Sequence, residues 1–199
     1  MNFLRGRQMI IHDPRLNNPG NVSAVPPVPA SPLLPPAAMQ VWTVTLSDPT
    51  SHIFGWAGVI GTEGKLDALH IMAHGNQNFI QIGLDNIHWN NLTVFDPLRS
   101  KVRFIVFWAC QVGGATSYSW RHPPNFGSRI AQITDAQVVL ASSNQMYSWN
   151  TSSKVIDFGP WEGEVNVFQP NGDAMVYQQY NPFRHVPKLM IQHVIFGES

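Results

Sequence analysis

Apolar positions along this chain gather into short runs, and most of these runs have the composition of β-strands. Leu69 to Ala73 and Val102 to Ala109 are almost continuously apolar, rich in β-branched and aromatic residues, and bounded by Gly, Asn and Lys/Arg positions. That is the pattern of buried strands, although periodicity alone does not exclude a short buried helix. Gln137 to Ser142 (QVVLAS) is a third run of the same kind, and Met9 to His12 reads as a short first strand or a docked terminus. Val41 to Leu46 (VWTVTL) alternates large apolar residues with threonine, which predicts a half-buried strand. Val165 to Tyr177 carries Pro-Asn-Gly-Asp between two alternating runs, a hairpin signal.

Helical spacing is rarer. Phe126, Ile130 and Ile133 share a helical face, with Asn125 placed to cap it. Leu92, Phe95 and Leu98 predict a short helix within residues 90–100. Phe54 to Ile60 fits either a short helix or a strand before the turn Gly61-Thr62-Glu63-Gly64. The segment after Gly75 (NQNFIQIGLDNIHW) predicts a hairpin or an irregular excursion. Gln111 to Pro124 is polar and turn-rich, hence an exposed loop. Strand, connection, strand, helix, strand at these lengths predicts an α/β fold with a mostly parallel sheet, helices on both faces and an antiparallel hairpin at one edge.

Seven prolines lie between Pro19 and Pro36 among Val, Ala, Ser and Leu. Such a segment favours extended backbone and reads as a linker or surface arm. The expected division is therefore residues 1–40, an N-terminal segment with the arm, and residues 41–199, the α/β domain. At 199 residues the chain is long enough for one sizeable core. Only 12% of residues are charged, and 12 basic residues balance 12 acidic ones without a basic stripe. Nucleic acid and anionic membrane surfaces are thus poor partners. No apolar run approaches the roughly 18 residues of a membrane span, and the run at Met9 to Ile11 is too short for a secretory signal. With a single cysteine there is no internal disulfide, which fits a reducing, cytoplasmic setting.

That cysteine changes the picture. Cys110 ends one buried run and His74, followed by Gly75, ends another. In parallel sheets, ligands bind outside the carboxyl ends of the strands, so the two would emerge on one edge as a nucleophile–base pair. An imidazole can take the thiol proton. The N–H groups of Gly75 and Cys110 could hold an oxyanion, since a residue without Cβ admits close approach. Two other readings stand beside this one. The thiol could be a buried small hydrophobe in a non-catalytic interaction module. His70 and His74, four apart, resemble paired zinc ligands, but no Glu adjoins His70 and no third ligand is evident.

In order along the chain, LHIMAHGN, FIVFWACQVGG and FGSRIAQITDAQVVLASS resemble the caspase-like cysteine peptidases of clan CD, above all bacterial caspase-like domains with His-Gly-Asn and Gly/Ala-Cys-X-Val motifs. The resemblance covers roughly residues 66–145. It implies a caspase-like α/β fold and a thiol protease, a hydrolase with a Cys-His dyad and no cofactor or metal. His74 would be the base or proton shuttle, Cys110 the nucleophile, and the N–H groups of Gly75 and Cys110 the oxyanion hole. Ser142 and Ser143 would line the pocket for the residue before the cut bond. The implied partner is a protein or peptide substrate, with room for an activating ligand or partner. The implied setting is the cytoplasm, or a target cell reached as an effector. Gln111-Val112 stands where caspases have Arg-Gly, and no basic residue adjoins Cys110, so a preference for aspartate does not carry over.

Overall fold

Parallel strands that follow one another along a chain must be joined by crossovers, and here the crossovers decide which edge carries the chemistry. The computed structural model describes residues 7–16, 39–112, 125–144, 148–150, 155–157 and 162–178. The Pro-rich arm and residues 113–124 of the expected loop lie outside them.

Five parallel strands form the centre: β1 (Gln8–His12), β2 (Met39–Thr43), β3 (Leu66–Met72), then, after three short strands, β7 (Val102–Trp108) and β8 (Gln137–Ala141). The hairpin β11 (Val165–Phe168) and β12 (Ala174–Gln178) adds to β8 in antiparallel fashion. The full order is β12-β11-β8-β7-β3-β1-β2. The short strands β4 (His74–Asn76), β5 (Phe79–Gln81) and β6 (Ile87–His88) make a separate antiparallel sheet directly after β3, and β9 (Ser148–Asn150) pairs with β10 (Val155–Asp157). The expected mixed α/β sheet with an antiparallel edge hairpin is therefore present.

β1 lies between β2 and β3 and is buried along its whole length. A boundary at residue 40 thus does not separate an appended segment from a domain. Residues 8–12 are part of the sheet, so of the two readings of Met9 to His12 the first strand holds.

Two helices and a 3-10 segment cover one face. α1 (Thr50–Glu63) joins β2 to β3, the 3-10 segment Trp89–Leu98 precedes β7, and α2 (Phe126–Thr134) joins β7 to β8. Their buried residues, including Phe54, Phe95 and Ile130, share one core with Met9, Ile11, Leu69, Ile71, Phe107 and Leu140. Each such large side chain, fully buried, contributes roughly 1.5–3 kcal/mol. The three connections run in the same direction across the sheet, and right-handed crossovers then bring them to the same face. Helices on both faces are accordingly not found among the described residues.

Local sequence explains the helices. Asn125 caps α2 through its side chain, which accepts from Ser128 N–H at 2.8 Å. Gly58 on α1 lies so close to the 3-10 segment that a Cβ would stand 2.5 Å from the Pro97 carbonyl. Leu92, Phe95 and Leu98 recur every third residue, which fits the three-residue turn of a 3-10 helix better than an α-helix. The break at Asn91 (φ −122°, ψ 22°) joins two such turns.

The opposite face of the sheet is also buried, at Ile10, His70, Val106 and Val139. His70 is held there between neighbouring strands. Trp108 Nε1–H donates to its Nδ1 at 3.1 Å, so Nε2 carries the proton and donates to Gln8 Oε1 at 2.7 Å. Burial lowers the His70 pKa from 6.5 to about 4. As pH falls, the unfolded chain therefore takes up this proton before the folded one does. The stability linked to His70 is complete above about pH 6.5 and is lost as pH falls toward 4. The loss expected is about 3 kcal/mol. Urea unfolding across this range should show a steeper pH dependence in the wild type than in His70→Leu. Equal slopes would refute the assignment.

Candidate active site at the carboxyl edge of the sheet

Counting parallel strands alone, the order is β2-β1-β3-β7-β8. The chain leaves β1 toward β2 and leaves β3 toward β7, in opposite directions. Connections that diverge in this way leave a crevice at the strands' carboxyl ends, the usual ligand position in open α/β sheets. His74 begins the first segment after β3. Cys110 begins the turn after the adjacent strand β7.

The pairing register brings the two segments level. Met72 lies opposite Trp108, so His74 and Cys110 each follow two residues beyond the last paired position. Their segments touch at Gly75. A Cβ there would meet Val112 Cγ2 at 2.6 Å and the Cys110 carbonyl oxygen at 2.8 Å. Glycine is needed at this position because main chain packs against main chain.

Gly75 has a second property. The hairpin β4–β5 turns through Gln77-Asn78, Asn78 having φ 57°. In an antiparallel ladder, opposed residues alternate between pairs that exchange hydrogen bonds and pairs that do not. Asn76 and Phe79 close the turn, so Gly75 and Ile80 form a pair that does not. The Gly75 N–H is consequently directed away from β5. Cys110 is half-buried and His74 is exposed.

One ring nitrogen of His74 is fixed from β1. Nε2 lies 3.1 Å from the Arg15 carbonyl oxygen. A carbonyl only accepts, so Nε2 carries the proton and Nδ1 is the nitrogen able to take one. Arg15 sits in the 3-10 turn Pro14–Leu16 after β1. It pairs with Asp13 through Nη2 and Oδ2 at 2.6 Å and through Nε and Oδ1 at 2.8 Å. Neither Asp13 nor Arg15 was expected from the sequence. The only available signal was a carboxylate directly after a strand with an arginine two residues on.

On the far side, Gln111 adopts the left-handed region (φ 53°), which costs a non-glycine residue about 1 kcal/mol or more. Two hydrogen bonds hold it: its N–H donates to the Ser143 carbonyl at 3.0 Å and its Nε2 to Asn144 Oδ1 at 2.8 Å. The turn that presents Cys110 is thereby tied to the end of β8. Ser142 and Ser143 lie next to this turn, as expected for residues beyond β8, but Ser142 is engaged elsewhere. Its N–H and Oγ–H both donate to the Glu164 carbonyl, at 2.8 and 3.1 Å.

No protein-family model matches the chain, and no curated protein matches it.

The arrangement bears on the zinc reading. Both ring nitrogens of His70 are hydrogen-bonded inside the sheet, while His74 points to Arg15 at the surface. The two are therefore not a ligand pair. Among the described residues, no group of three or more His, Cys, Asp or Glu could hold a metal ion. No described helix is long and apolar enough to cross a membrane. What the rim offers chemically is a half-buried thiol, an imidazole of defined tautomer, and the Gly75 backbone N–H directed off its hairpin.

Proposed function

We propose that the protein is a caspase-like cysteine endopeptidase that cleaves a protein substrate, or itself, through Cys110 and His74. The observation that carries this reading is the contact of Gly75 with the Cys110 carbonyl beside a sheet switch point. It sets the thiol-bearing turn against the segment that holds the imidazole.

In the proposed reaction, Cys110 Sγ attacks the scissile carbonyl carbon as its proton passes to His74 Nδ1. The carbonyl oxygen gains the electron pair and is held by the N–H groups of Gly75 and Cys110. When the C–N bond breaks, His74 returns the proton to the leaving amine. Water, deprotonated by His74, then attacks the thioester, releasing the acid and restoring the thiol. Arg15, the cation beside His74, already has its charge matched by Asp13. Arg15 therefore offers no unmatched charge to an acidic side chain of a substrate.

The test is labelling with a peptidyl acyloxymethyl ketone at neutral pH, read by intact mass and peptide mapping. The expected result is one adduct, on Cys110. A wild-type protein left unlabelled across several peptide sequences would instead favour a non-catalytic interaction module on the same fold.

A further inference from the structure

Asp13 has a carboxylate wholly removed from solvent at the carboxyl edge of the sheet, and the proposed reaction does not use it. It accepts four hydrogen bonds, three of them from Arg15. Oδ1 accepts from the Arg15 N–H at 2.9 Å and from Arg15 Nε at 2.8 Å. Oδ2 accepts from Arg15 Nη2 at 2.6 Å and from the Gly83 N–H at 3.0 Å. Arg15 Nη2 donates a further bond to the Gly83 carbonyl at 2.9 Å. The backbone of Asp13 is fixed as well. Its N–H donates to the Met72 carbonyl at 2.8 Å, and its carbonyl accepts from Leu16 N–H at 3.2 Å.

Arg15 is thus gripped by side chain and main chain alike, and its carbonyl is what meets His74 Nε2. From these contacts we infer that Asp13 is a positioning residue: through Arg15 it holds the carbonyl that fixes the tautomer and direction of the His74 ring. The inference rests on His74 being the base of the proposed reaction, but the geometry it describes is testable without that. A buried ion pair is weak evidence for stability in itself. Here the pair is invested in the order of a three-residue turn, which is anchored to Gly83 and Met72 and presents the Arg15 carbonyl to an exposed imidazole. Without it, the ring would rotate and exchange its proton between nitrogens as in solution.

The experiment compares wild type, Asp13→Asn and the double variant Asp13→Asn/Arg15→Met in 15N-histidine-labelled protein. The double variant removes both charges, so it leaves no uncompensated ion if the single variant folds poorly. Two-bond 1H–15N spectra, with the His74 signals assigned by His74→Gln, report the tautomer. The expected result is a single Nε2–H form in the wild type and a mixture of both forms in each folded variant. Alkylation of Cys110 by iodoacetamide at neutral pH should slow about tenfold alongside. A carboxylate that served only the fold would lower the melting temperature and leave the His74 spectrum as it was. That outcome, in either folded variant, overturns the inference. If instead the spectrum loosens but wild-type Cys110 reacts no faster than in His74→Gln, Asp13 still positions the ring and it is the peptidase reading that fails.

Discussion

Cys110→Ala should abolish cleavage of a mixed peptide library and erase labelling by peptidyl acyloxymethyl ketones, while the protein remains folded. The loss expected is on the order of 10⁴-fold or more, because removing a nucleophile leaves only binding and oxyanion contacts to assist water. Stability should change by no more than about 1 kcal/mol. Cys110 is half-buried, and the strand before it, β7, is anchored by its own core residues from Phe104 to Trp108. Library cleavage followed by mass spectrometry, with thermal melts of both proteins, separates the two effects. Cleavage that persists in Cys110→Ala at the wild-type rate assigns the activity to some other group.

Gly75→Ala is the second large effect. The added methyl would stand 2.6 Å from Val112 Cγ2, 2.8 Å from the Cys110 carbonyl oxygen and 3.1 Å from Ala109 Cβ. The Val112 methyl could move; Ala109 Cβ is fixed to its backbone, and the carbonyl belongs to the turn that presents the thiol. Overpacking of this kind costs typically 1–3 kcal/mol. A displacement near 1 Å at a reacting centre costs about 10²-fold in rate. Pairing the change with Val112→Ala distinguishes these contributions. Trimming Val112 relieves the nearest contact, so the double variant should recover stability. It leaves the carbonyl contact in place, so labelling of Cys110 should stay slow. Recovery of both together would mean that Gly75 serves packing alone.

The sheet was legible in the sequence wherever a strand is buried on both faces. Leu66–Met72, Val102–Trp108 and Gln137–Ala141 had to be almost continuously apolar, so their runs stand out, and the Pro-Asn-Gly-Asp turn betrays the edge hairpin. α1 was harder. It carries Gly55, Gly58 and Gly61, poor helix formers that blur the periodicity, and Gly58 and Gly61 are there because the helix lies close to Pro97 and Lys101. The 3-10 segment Trp89–Leu98 shows its identity only in the spacing of three between Leu92, Phe95 and Leu98, which a helical reading absorbs without complaint.

For the site, the ends of two apolar runs were enough to single out His74 and Cys110, because a parallel sheet sends strand ends to one edge. The residues that steady them were not visible. Arg15 reaches His74 across 59 positions of sequence, and only the register of β1 against β3 makes them neighbours. The tie from Gln111 to Ser143 likewise depends on β8 lying beside β7. Asp13 and Arg15 do not stand out in the sequence because their pairing is local, whereas their consequence is not. The left-handed conformation of Gln111 has no signature in its residue type.

The central claim is that the His74 imidazole activates the Cys110 thiol, and the rate at which one peptidyl acyloxymethyl ketone labels Cys110 in wild type and in folded His74→Ala tests it most directly. Activation by the ring predicts that the alanine variant reacts roughly 10²-fold more slowly at neutral pH. Equal rates in the two proteins would contradict it.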